Sequence, residues 1–369
     1  MAIKGKTVGL ALSGGGYRAT LFSLGSLWRL NEAGLLGQLD RISSVSGGSI
    51  LAGLLAHRWR KLDFVNGSAK NFQIEVVDPI RKFCSETIDV AAGVKGFFTP
   101  FKSAGQYLTE CYDKHLFHGA ATNQMPDPTK GEGPLFVIYA TNLQTGRSFR
   151  IRQDMLADWK IGVARGVSIP LAQAVAASSA FPPVFSPIIV QTDSSAWAGG
   201  EDIPYLNELR RRIVLADGGV YDNMGLETLI DKVDVVLVSD AGAPFEIEPE
   251  PSETPLQMNR VRDILIDQSR ALRKRWLISD FEKKNRYGAY WGIDTHIGDY
   301  KDKLAVAQDT TVTGSLARLP TRLADFGRES EERLINWGYA LADAALRTRA
   351  EFAIEKSLGL PMPDSKLTE

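Results

Sequence analysis

Short apolar runs alternate with helical patterns in the first part of the chain. The run Val8–Leu12 ends at a cluster of glycines, and apolar residues then recur at helical spacing as far as Gly34. A second strand, Arg41–Val45, leads through a Ser-Gly-Gly turn into another helical pattern. Two successive strand–turn–helix units favour parallel βαβ construction.

Further strands are predicted later in the chain, at Leu135–Ala140, Ile213–Ala216 and Val233–Ser239. A helix of small residues, Leu171–Ser179, lies between the first two of these strands. Each strand is short and mostly apolar, which is typical of a sheet covered by helices on both faces. The pattern therefore predicts an α/β fold with a mostly parallel central sheet.

The pattern changes at two places, and these changes divide the chain. Residues 61–133 are irregular and predict an insertion, either a cap over a site or a local subdomain. After a Pro/Glu-rich linker, long charged helices are predicted at Gln257–Lys284 and Ser330–Leu358. We therefore expect an α/β domain over residues 5–240 and a mainly helical C-terminal extension over residues 241–369.

The composition is that of an ordinary globular protein. Hydrophobic residues make up 44% of the 369 residues and charged residues 24%, which excludes disorder and disulfide-rich miniature folds. The 43 Lys and Arg residues nearly balance the 44 Asp and Glu residues, for a net charge of −1. General nucleic-acid binding needs a basic surface, so no nucleic-acid partner is predicted.

The cysteines and apolar stretches indicate a compartment. Cys84 and Cys111 show no metal-ligand spacing, and we expect them to be reduced thiols, with no metal site. The apolar run near the N-terminus does not match a secretion signal. The clearest apolar stretches, Ile50–Ala56 and Val235–Val238, fall far short of the ~20 residues that span a bilayer. We expect a cytoplasmic protein whose contact with membranes is peripheral.

The first glycine turn has two interpretations. The loop from Gly14 to Ala19 fits the G-x-G-x-x-G/A pattern of dinucleotide-binding loops, between a strand and a helix. Such folds also need an acidic residue at the end of the second strand, and that strand here ends in Ser-Val-Ser-Gly-Gly. No cofactor is therefore predicted, and a regulatory module that binds a nucleotide through this loop is kept as an alternative.

The second glycine turn has the layout of a nucleophile elbow. Ser44-Val-Ser46-Gly-Gly48 matches G-x-S-x-G, with serine in place of the first glycine. A third turn, Asp217-Gly-Gly, also follows a predicted strand. In a parallel sheet the three turns meet at one carboxyl edge, which then carries a nucleophile, a carboxylate and N–H donors. These groups are what an acyl-transfer site requires.

Four separated segments, over roughly residues 5–240, resemble those of patatin-like phospholipases. They are Ser13-Gly-Gly-Gly-Tyr-Arg18, Ser44-Val-Ser-Gly-Gly48, Ala176-Ala-Ser-Ser-Ala-Phe-Pro-Pro183 and Asp217-Gly-Gly219. The first segment is also similar to that of the related cytosolic phospholipase A group, and Ser44 departs from the usual glycine. The resemblance implies a three-layer α/β/α fold and a hydrolase of phospholipids or other acyl lipids.

The resemblance also implies roles for individual residues. Ser46 is expected to be the nucleophile and Asp217 its base, and the oxyanion is expected to be held by the backbone of Gly14, Gly15 and Gly16. The turns are supported by small residues that permit close packing of strand and helix: Gly47, Gly48, Gly218 and Gly219. Arg18 either fixes the loop, meets a lipid phosphate or lies on a helix surface. Asn223 either positions the aspartate turn or caps a loop.

A Ser–Asp–His triad is the main alternative to the dyad. The order Ser46, Asp217, His296 is that of α/β-hydrolases. His57 lies roughly 16 Å along the helix axis from Ser46, at ~1.5 Å per residue, and is too far away to take its proton. The dyad is preferred because the resemblance implies it.

Two groups of residues are candidates for lipid contact. The first is aromatic, lies in the insertion and suits either an acyl channel or a local core: Phe97, Phe98 and Phe101. The second is basic, lies beside Trp276 and suits either anionic head groups or a solvated helix face: Arg270, Arg273, Lys274 and Arg275. The C-terminal extension is a candidate for binding an activator or for forming homo-oligomers.

Overall fold

The structure is a computed structural model that describes residues 5–88, 103–245, 247, 249, 256–357 and 359–368. Within these residues the strands are β1 (Val8–Leu12), β2 (Arg41–Val45), β3 (Phe64–Val65), β4 (Ser68–Ala69), β5 (Leu135–Asn142), β6 (Arg147–Ile151), β7 (Met155–Asp158), β8 (Gly162–Arg165), β9 (Ile188–Gln191), β10 (Trp197–Ala198), β11 (Arg212–Asp217), β12 (Val235–Asp240) and β13 (Tyr287–Gly292). The α-helices are α1 (Gly16–Glu32), α2 (Gly47–Arg58), α3 (Asp78–Cys84), α4 (Ala104–Tyr112), α5 (Leu171–Ser179), α6 (Leu206–Arg211), α7 (Gly219–Asp222), α8 (Leu256–Glu282), α9 (Thr311–Leu316) and α10 (Arg328–Thr348).

Eleven of the described strands form one mixed sheet in the order β10-β8-β7-β6-β5-β2-β1-β12-β13, with β11 and β9 attached beside β5. The five neighbours β5, β2, β1, β12 and β13 are parallel. Strands β6, β7, β8 and β10 extend the sheet in antiparallel fashion. The prediction of an α/β fold with a mostly parallel central sheet is therefore confirmed.

Side chains of the central strands alternate between two apolar layers, as successive residues of a strand point to opposite faces. Leu10 and Leu237 belong to a core cluster that includes residues of α1, α2 and α10. Ala11 and Val236 belong to a second cluster, which Leu277 of α8 covers. Helices on both faces of the sheet give the predicted three-layer arrangement.

Helix α1 is packed closely against α10. A Cβ atom added to Gly25 of α1 or to Gly338 of α10 would lie 1.8 Å from a backbone oxygen of the other helix. Only glycine permits this approach, because a methyl group would overlap the opposing backbone. Arg29 and Asp343 form a buried ion pair across the same interface, with an N–O distance of 2.5 Å. The helix that follows the first glycine turn is thus supported by the C-terminal part of the chain.

The C-terminal residues contribute a strand as well as the predicted helices. Strand β13 pairs in parallel with β12, from Tyr287 opposite Val235 to Gly292 opposite Asp240. This strand was not predicted from the sequence, because its residues, Tyr-Gly-Ala-Tyr-Trp-Gly, include no Val, Ile or Leu. The division of the chain at residue 240 stays a prediction, and β13 connects the two parts through one sheet.

The insertion at residues 61–133 contains the β3–β4 hairpin, α3 and α4. Phe83 of α3 makes edge-on contacts with Tyr17 of α1 and Tyr112 of α4, with ring centroids 5.5 and 5.6 Å apart. The predicted aromatic group at Phe97–Phe101 lies outside the described residues. Across the described ranges, no helix combines the length and apolar character needed to cross a membrane.

Candidate active site

Strands β2 and β11 meet end to end along one edge of β5. Val45, the last residue of β2, lies opposite Tyr139 of β5, and Asp217, the last residue of β11, lies opposite Ala140. Strand β6 pairs with β5 from Ile138 onward, so β11 must share the β2 edge. The two strands therefore run towards each other. Ser46 directly follows β2 and Asp217 ends β11, so the two residues occupy neighbouring positions along β5.

This arrangement corrects one expectation. The sequence predicts that the strand before Asp217 is parallel to the others, whereas β11 is antiparallel to β5. The physical reason is that β5 extends beyond the end of β2, to Asn142, and this projecting end pairs with β11. Asp217 reaches the predicted edge of the sheet from the opposite direction.

Ser46 occupies a strained turn between β2 and α2. Its backbone has φ 50° and ψ −120°, a conformation that is costly for a residue with a Cβ atom. The next two residues must be glycine: a Cβ atom on Gly47 would lie 2.0 Å from the carbonyl oxygen of Gly16, and one on Gly48 would lie 2.4 Å from that of Leu12. This is the geometry of a nucleophile elbow, in which the turn fixes the serine hydroxyl.

The end of α5 contacts both sequence-predicted turns. The Ser178 hydroxyl accepts a hydrogen bond of 3.0 Å from the Ser46 N–H, and the Ser178 carbonyl accepts one of 3.1 Å from the Gly218 N–H. The carbonyl of Ala180 accepts a further bond of 3.0 Å from the Asp217 N–H. The sequence motif gives this segment no role, and the structure shows that the segment connects the serine and aspartate turns.

The hydroxyl groups of Ser49 and Ser44 form a chain of hydrogen bonds that starts at Ser178. The Oγ atoms of Ser178 and Ser49 lie 2.8 Å apart, and the Ser49 hydroxyl donates to Ser44 at 2.9 Å. All three side chains are buried. Ser44, which departs from the usual glycine of the elbow, therefore provides an acceptor for a hydroxyl of the elbow's own helix.

Asp217 is buried, and its environment changes its acidity. Loss of solvation raises the pKa of the carboxyl group to about 7, against the lowering effect of hydrogen bonds from the Gly219 N–H and from the Ser46 side chain. The bond from Gly219 measures 2.7 Å. A carboxylate with this pKa is a much stronger base than an exposed aspartate.

The glycine loop before α1 lies against Ser46, and its three N–H groups differ. The Gly14 N–H donates to the carbonyl of Asn223 at 3.0 Å, so it is not free to hold an oxyanion, contrary to the expectation from sequence. A Cβ atom on Gly14 would lie 3.1 Å from the Ser46 Cβ and 2.3 Å from the Asn223 Oδ1. The N–H groups of Gly15 and Gly16 have no hydrogen-bond acceptor among the described residues. Asn223 thus connects the aspartate turn to the glycine loop.

Arg18 is buried beneath the loop rather than exposed on a helix surface. Its guanidinium donates to the carbonyl of Ala241 from Nε and Nη2, to the carbonyl of Leu319, and to the Thr321 hydroxyl at 3.0 Å. Loss of solvation, followed by repulsion from Arg270, lowers the pKa of Arg18 to about 10. The side chain fastens α1 to two C-terminal segments that line the site.

A cavity of about 620 Å³ brings the predicted residues together. Its wall includes the candidate catalytic and supporting residues Gly14, Gly15, Gly16, Arg18, Ser46, Asp217, Gly219 and Asn223. The other predicted glycines, Gly47, Gly48 and Gly218, do not line the cavity. They permit close backbone contacts at the serine and aspartate turns. The rest of the lining includes the apolar side chains of Phe181, Val184 and Phe245, residues of α8, and residues 317–323.

The histidines lie away from this cavity. His296 does not line it; its side chain is 77% exposed and contacts Asp309 at 3.5 Å. His57 is packed beside Phe117, and loss of solvation, with repulsion from nearby basic groups, lowers its pKa to about 4. The geometry gives no support to a triad that uses His296.

Most of the predicted basic cluster on α8 is engaged in internal ion pairs. Arg270 pairs with buried Asp240 at 2.9 Å, and Lys274 lies 3.7 Å from Asp294. Arg273 lies 3.6 Å from Asp222 and 3.5 Å from Glu227. Within the described ranges, no group of three or more His, Cys, Asp or Glu side chains could hold a metal ion.

Comparison with known proteins gives the family and the fold. Residues 10–230 match the family model described as patatin-like phospholipase, whereas no curated protein matches the chain. Human GIVD cytosolic phospholipase A2 is similar in structure, with a TM-score of 0.51 and 13% identity over 94% of this chain and 61% of that chain. Its complex with methyl gamma-linolenyl fluorophosphonate has a TM-score of 0.50 and 15% identity over 94% and 59% of the two chains.

The chain therefore spans less than two thirds of the length of these solved structures, and the likeness to them concerns the fold. The family match covers more than half of the chain and includes the glycine loop, the elbow, the end of α5 and the aspartate turn. The chain belongs to the patatin-like phospholipase family.

Proposed function

We propose that the protein is a serine acyl hydrolase that cleaves carboxylic ester bonds of phospholipids or other acyl lipids through Ser46 and Asp217. The observation that supports this most directly is the meeting of β2 and β11, which brings a strained serine to a buried carboxyl group in one cavity. The pKa of about 7 suits that carboxyl group to take and return a proton near neutral pH.

In the acylation step, the Ser46 hydroxyl attacks the ester carbonyl and Asp217 accepts its proton. The tetrahedral oxyanion then receives hydrogen bonds from the N–H groups of Gly15 and Gly16, which have no other described acceptor. The N–H of Gly47, the residue after the nucleophile, is a further candidate donor. Collapse of the intermediate forms the acyl-enzyme, and the leaving alcohol takes the proton from Asp217.

In the deacylation step, Asp217 removes a proton from water, which attacks the acyl-enzyme carbonyl. The second tetrahedral intermediate collapses to the free fatty acid and returns the proton to Ser46. These reaction steps need no cofactor. The Gly14–Ala19 loop would offer its N–H groups to a nucleotide only in the space that this reaction uses, because the loop lines the same cavity as Ser46.

Covalent labelling tests the proposal. We expect a fluorophosphonate probe to modify Ser46, as mapped by peptide mass spectrometry, and Ser46→Ala to abolish both labelling and release of fatty acid from a phospholipid. Ser85→Ala, which removes an exposed hydroxyl from α3's C-terminal cap, is the matched control and should retain both. Labelling that persists in Ser46→Ala contradicts the assignment.

A further inference from the structure

Helix α8 presents a row of apolar side chains to solvent. Five of them follow one another at spacings of three, four, seven and four residues: Met258, Val261, Leu265, Leu272 and Trp276. Their exposed fractions are 68%, 43%, 65%, 60% and 46%. At 3.6 residues per turn these positions fall within an arc of about 60° and form a row roughly 27 Å long. We refer to this row as the outer stripe.

The opposite face of the same helix belongs to the catalytic cavity. Ile266 and Arg270 line the cavity that contains Ser46, and Leu277 packs under the sheet. Arg262 of α8 donates to the carbonyl of Pro182, the residue after Phe181 of the cavity lining. The helix therefore lies between the site and the solvent, with one face in contact with each.

Among the described residues that line the cavity, arginines outnumber carboxylates, although the whole chain carries a net charge of −1. Three aspartates line the cavity: Asp217, Asp263 and Asp267. Six arginines line it, one of which, Arg270, is balanced by its ion pair with buried Asp240: Arg18, Arg260, Arg262, Arg270, Arg318 and Arg322. Exposed Arg275 adds a cationic group next to Trp276, at the end of the outer stripe. Apolar side chains with basic residues beside them are typical of helices that lie at an anionic membrane surface.

We propose that the outer stripe of α8 docks on an anionic lipid surface, so that the helix that lines the cavity lies directly on that surface. Tryptophan at the end of the stripe suits the boundary between head groups and acyl chains. A second copy of the chain is a less suitable occupant, because the five side chains of the outer stripe include no carboxylate that could pair with Arg275 of another copy. Of the basic cluster predicted from sequence, only Arg275 is used here as a surface cation, because Arg270, Arg273 and Lys274 are paired internally.

Vesicle flotation tests the proposal without depending on the proposed activity, since every protein can carry Ser46→Ala. The probes are vesicles of phosphatidylcholine alone and of phosphatidylcholine mixed with phosphatidylglycerol. We expect the Ser46→Ala protein to float with the anionic vesicles and to bind them more strongly than the neutral ones. Addition of Leu265→Gln should lower the vesicle partition coefficient about tenfold, because a leucine then no longer enters the apolar layer.

Ile74→Gln is the matched control, because Ile74 is 67% exposed and lies outside α8. It should leave flotation unchanged, and thermal unfolding should show that both variants remain folded. Three results would overturn the proposal: no binding to anionic vesicles, equal loss of binding in Leu265→Gln and Ile74→Gln, or binding that Leu265→Gln leaves intact. A concentration-dependent dimer that Leu265→Gln abolishes would also overturn it, in favour of a second copy of the chain.

Discussion

The Ser178 hydroxyl accepts a hydrogen bond of 3.0 Å from the backbone N–H of Ser46, while the Ser178 carbonyl accepts one from Gly218. One residue thus contacts the turns that carry both candidate catalytic groups. Because Ser46 is strained, its orientation depends on such external bonds. Ser178 therefore acts, in our proposal, as a positioning residue for the dyad.

Ser178→Ala should reduce kcat by about tenfold and leave KM nearly unchanged. The substitution leaves the buried Ser46 N–H without its acceptor, a loss of about 1–3 kcal/mol that affects the orientation of the nucleophile. Steady-state kinetics on a lipid ester and the rate of fluorophosphonate labelling measure the effect. A fall in melting temperature with unchanged kcat would show that Ser178 serves only the fold.

The pH profile should follow the acidity of Asp217. Burial raises the pKa of Asp217 to about 7, and only the deprotonated form can accept the Ser46 proton. We therefore expect kcat/KM to be low at pH 5, to rise through an inflection near pH 7, and to level off above it. An inflection near pH 4 would mean that the base is a solvated carboxylate.

Asp217→Asn should abolish hydrolysis and yet stabilise the folded protein at alkaline pH. The folded-state pKa of about 7 lies above the ordinary aspartate value of 3.8, so the native state binds more protons than the unfolded state between these values. The stability of the wild type therefore falls as pH rises through this window, by up to about 4 kcal/mol. Denaturant unfolding should show Asp217→Asn to be the more stable protein at pH 8, with a much smaller difference at pH 4.

Arg18→Lys should lower the free energy of unfolding by about 2–4 kcal/mol, because lysine cannot reproduce the bonds that the guanidinium makes to Ala241, Leu319 and Thr321. Chemical denaturation measures this change. Arg212→Lys, at an exposed position on β11, is the control and should change stability by less than about 0.5 kcal/mol. Equal effects in the two variants would contradict the role given to Arg18.

His296→Gln should retain hydrolytic activity. The imidazole is 77% exposed and does not line the cavity, so its loss removes no group that contacts the reacting atoms. Comparison of kcat/KM for His296→Gln and Asp217→Asn on the same ester separates the dyad from the triad. A large loss in the histidine variant would require a different base.

Local patterns were sufficient to predict much of the fold and the candidate site. The strands Val8–Leu12 and Arg41–Val45 and the helix Leu171–Ser179 have the predicted bounds, because apolar runs and glycine turns specify them within a few residues. The glycine turns at Ser46 and Asp217 also line up at one cavity, as the motifs indicated.

Other features depend on contacts between distant parts of the chain. The antiparallel direction of β11 follows from the extra length of β5, which no pattern near Asp217 reveals. The Gly14 N–H is occupied by a carbonyl of Asn223, far along the sequence. The burial of Arg18 likewise depends on segments around Ala241 and Leu319. Motif spacing carries no information about such partners.

The close packing of α1 on α10 has a consequence for synthesis of the protein. The glycine loop leads directly into α1, and α1 crosses α10 at Gly25 and Gly338. A nascent chain on the ribosome has Ser46 and Asp217 long before it has α10. In such a chain we expect the glycine loop to be unordered, because α1 has no α10 to pack against. Reactivity towards lipid esters should therefore arise only after residues up to Thr348 have been translated and α10 has packed on α1.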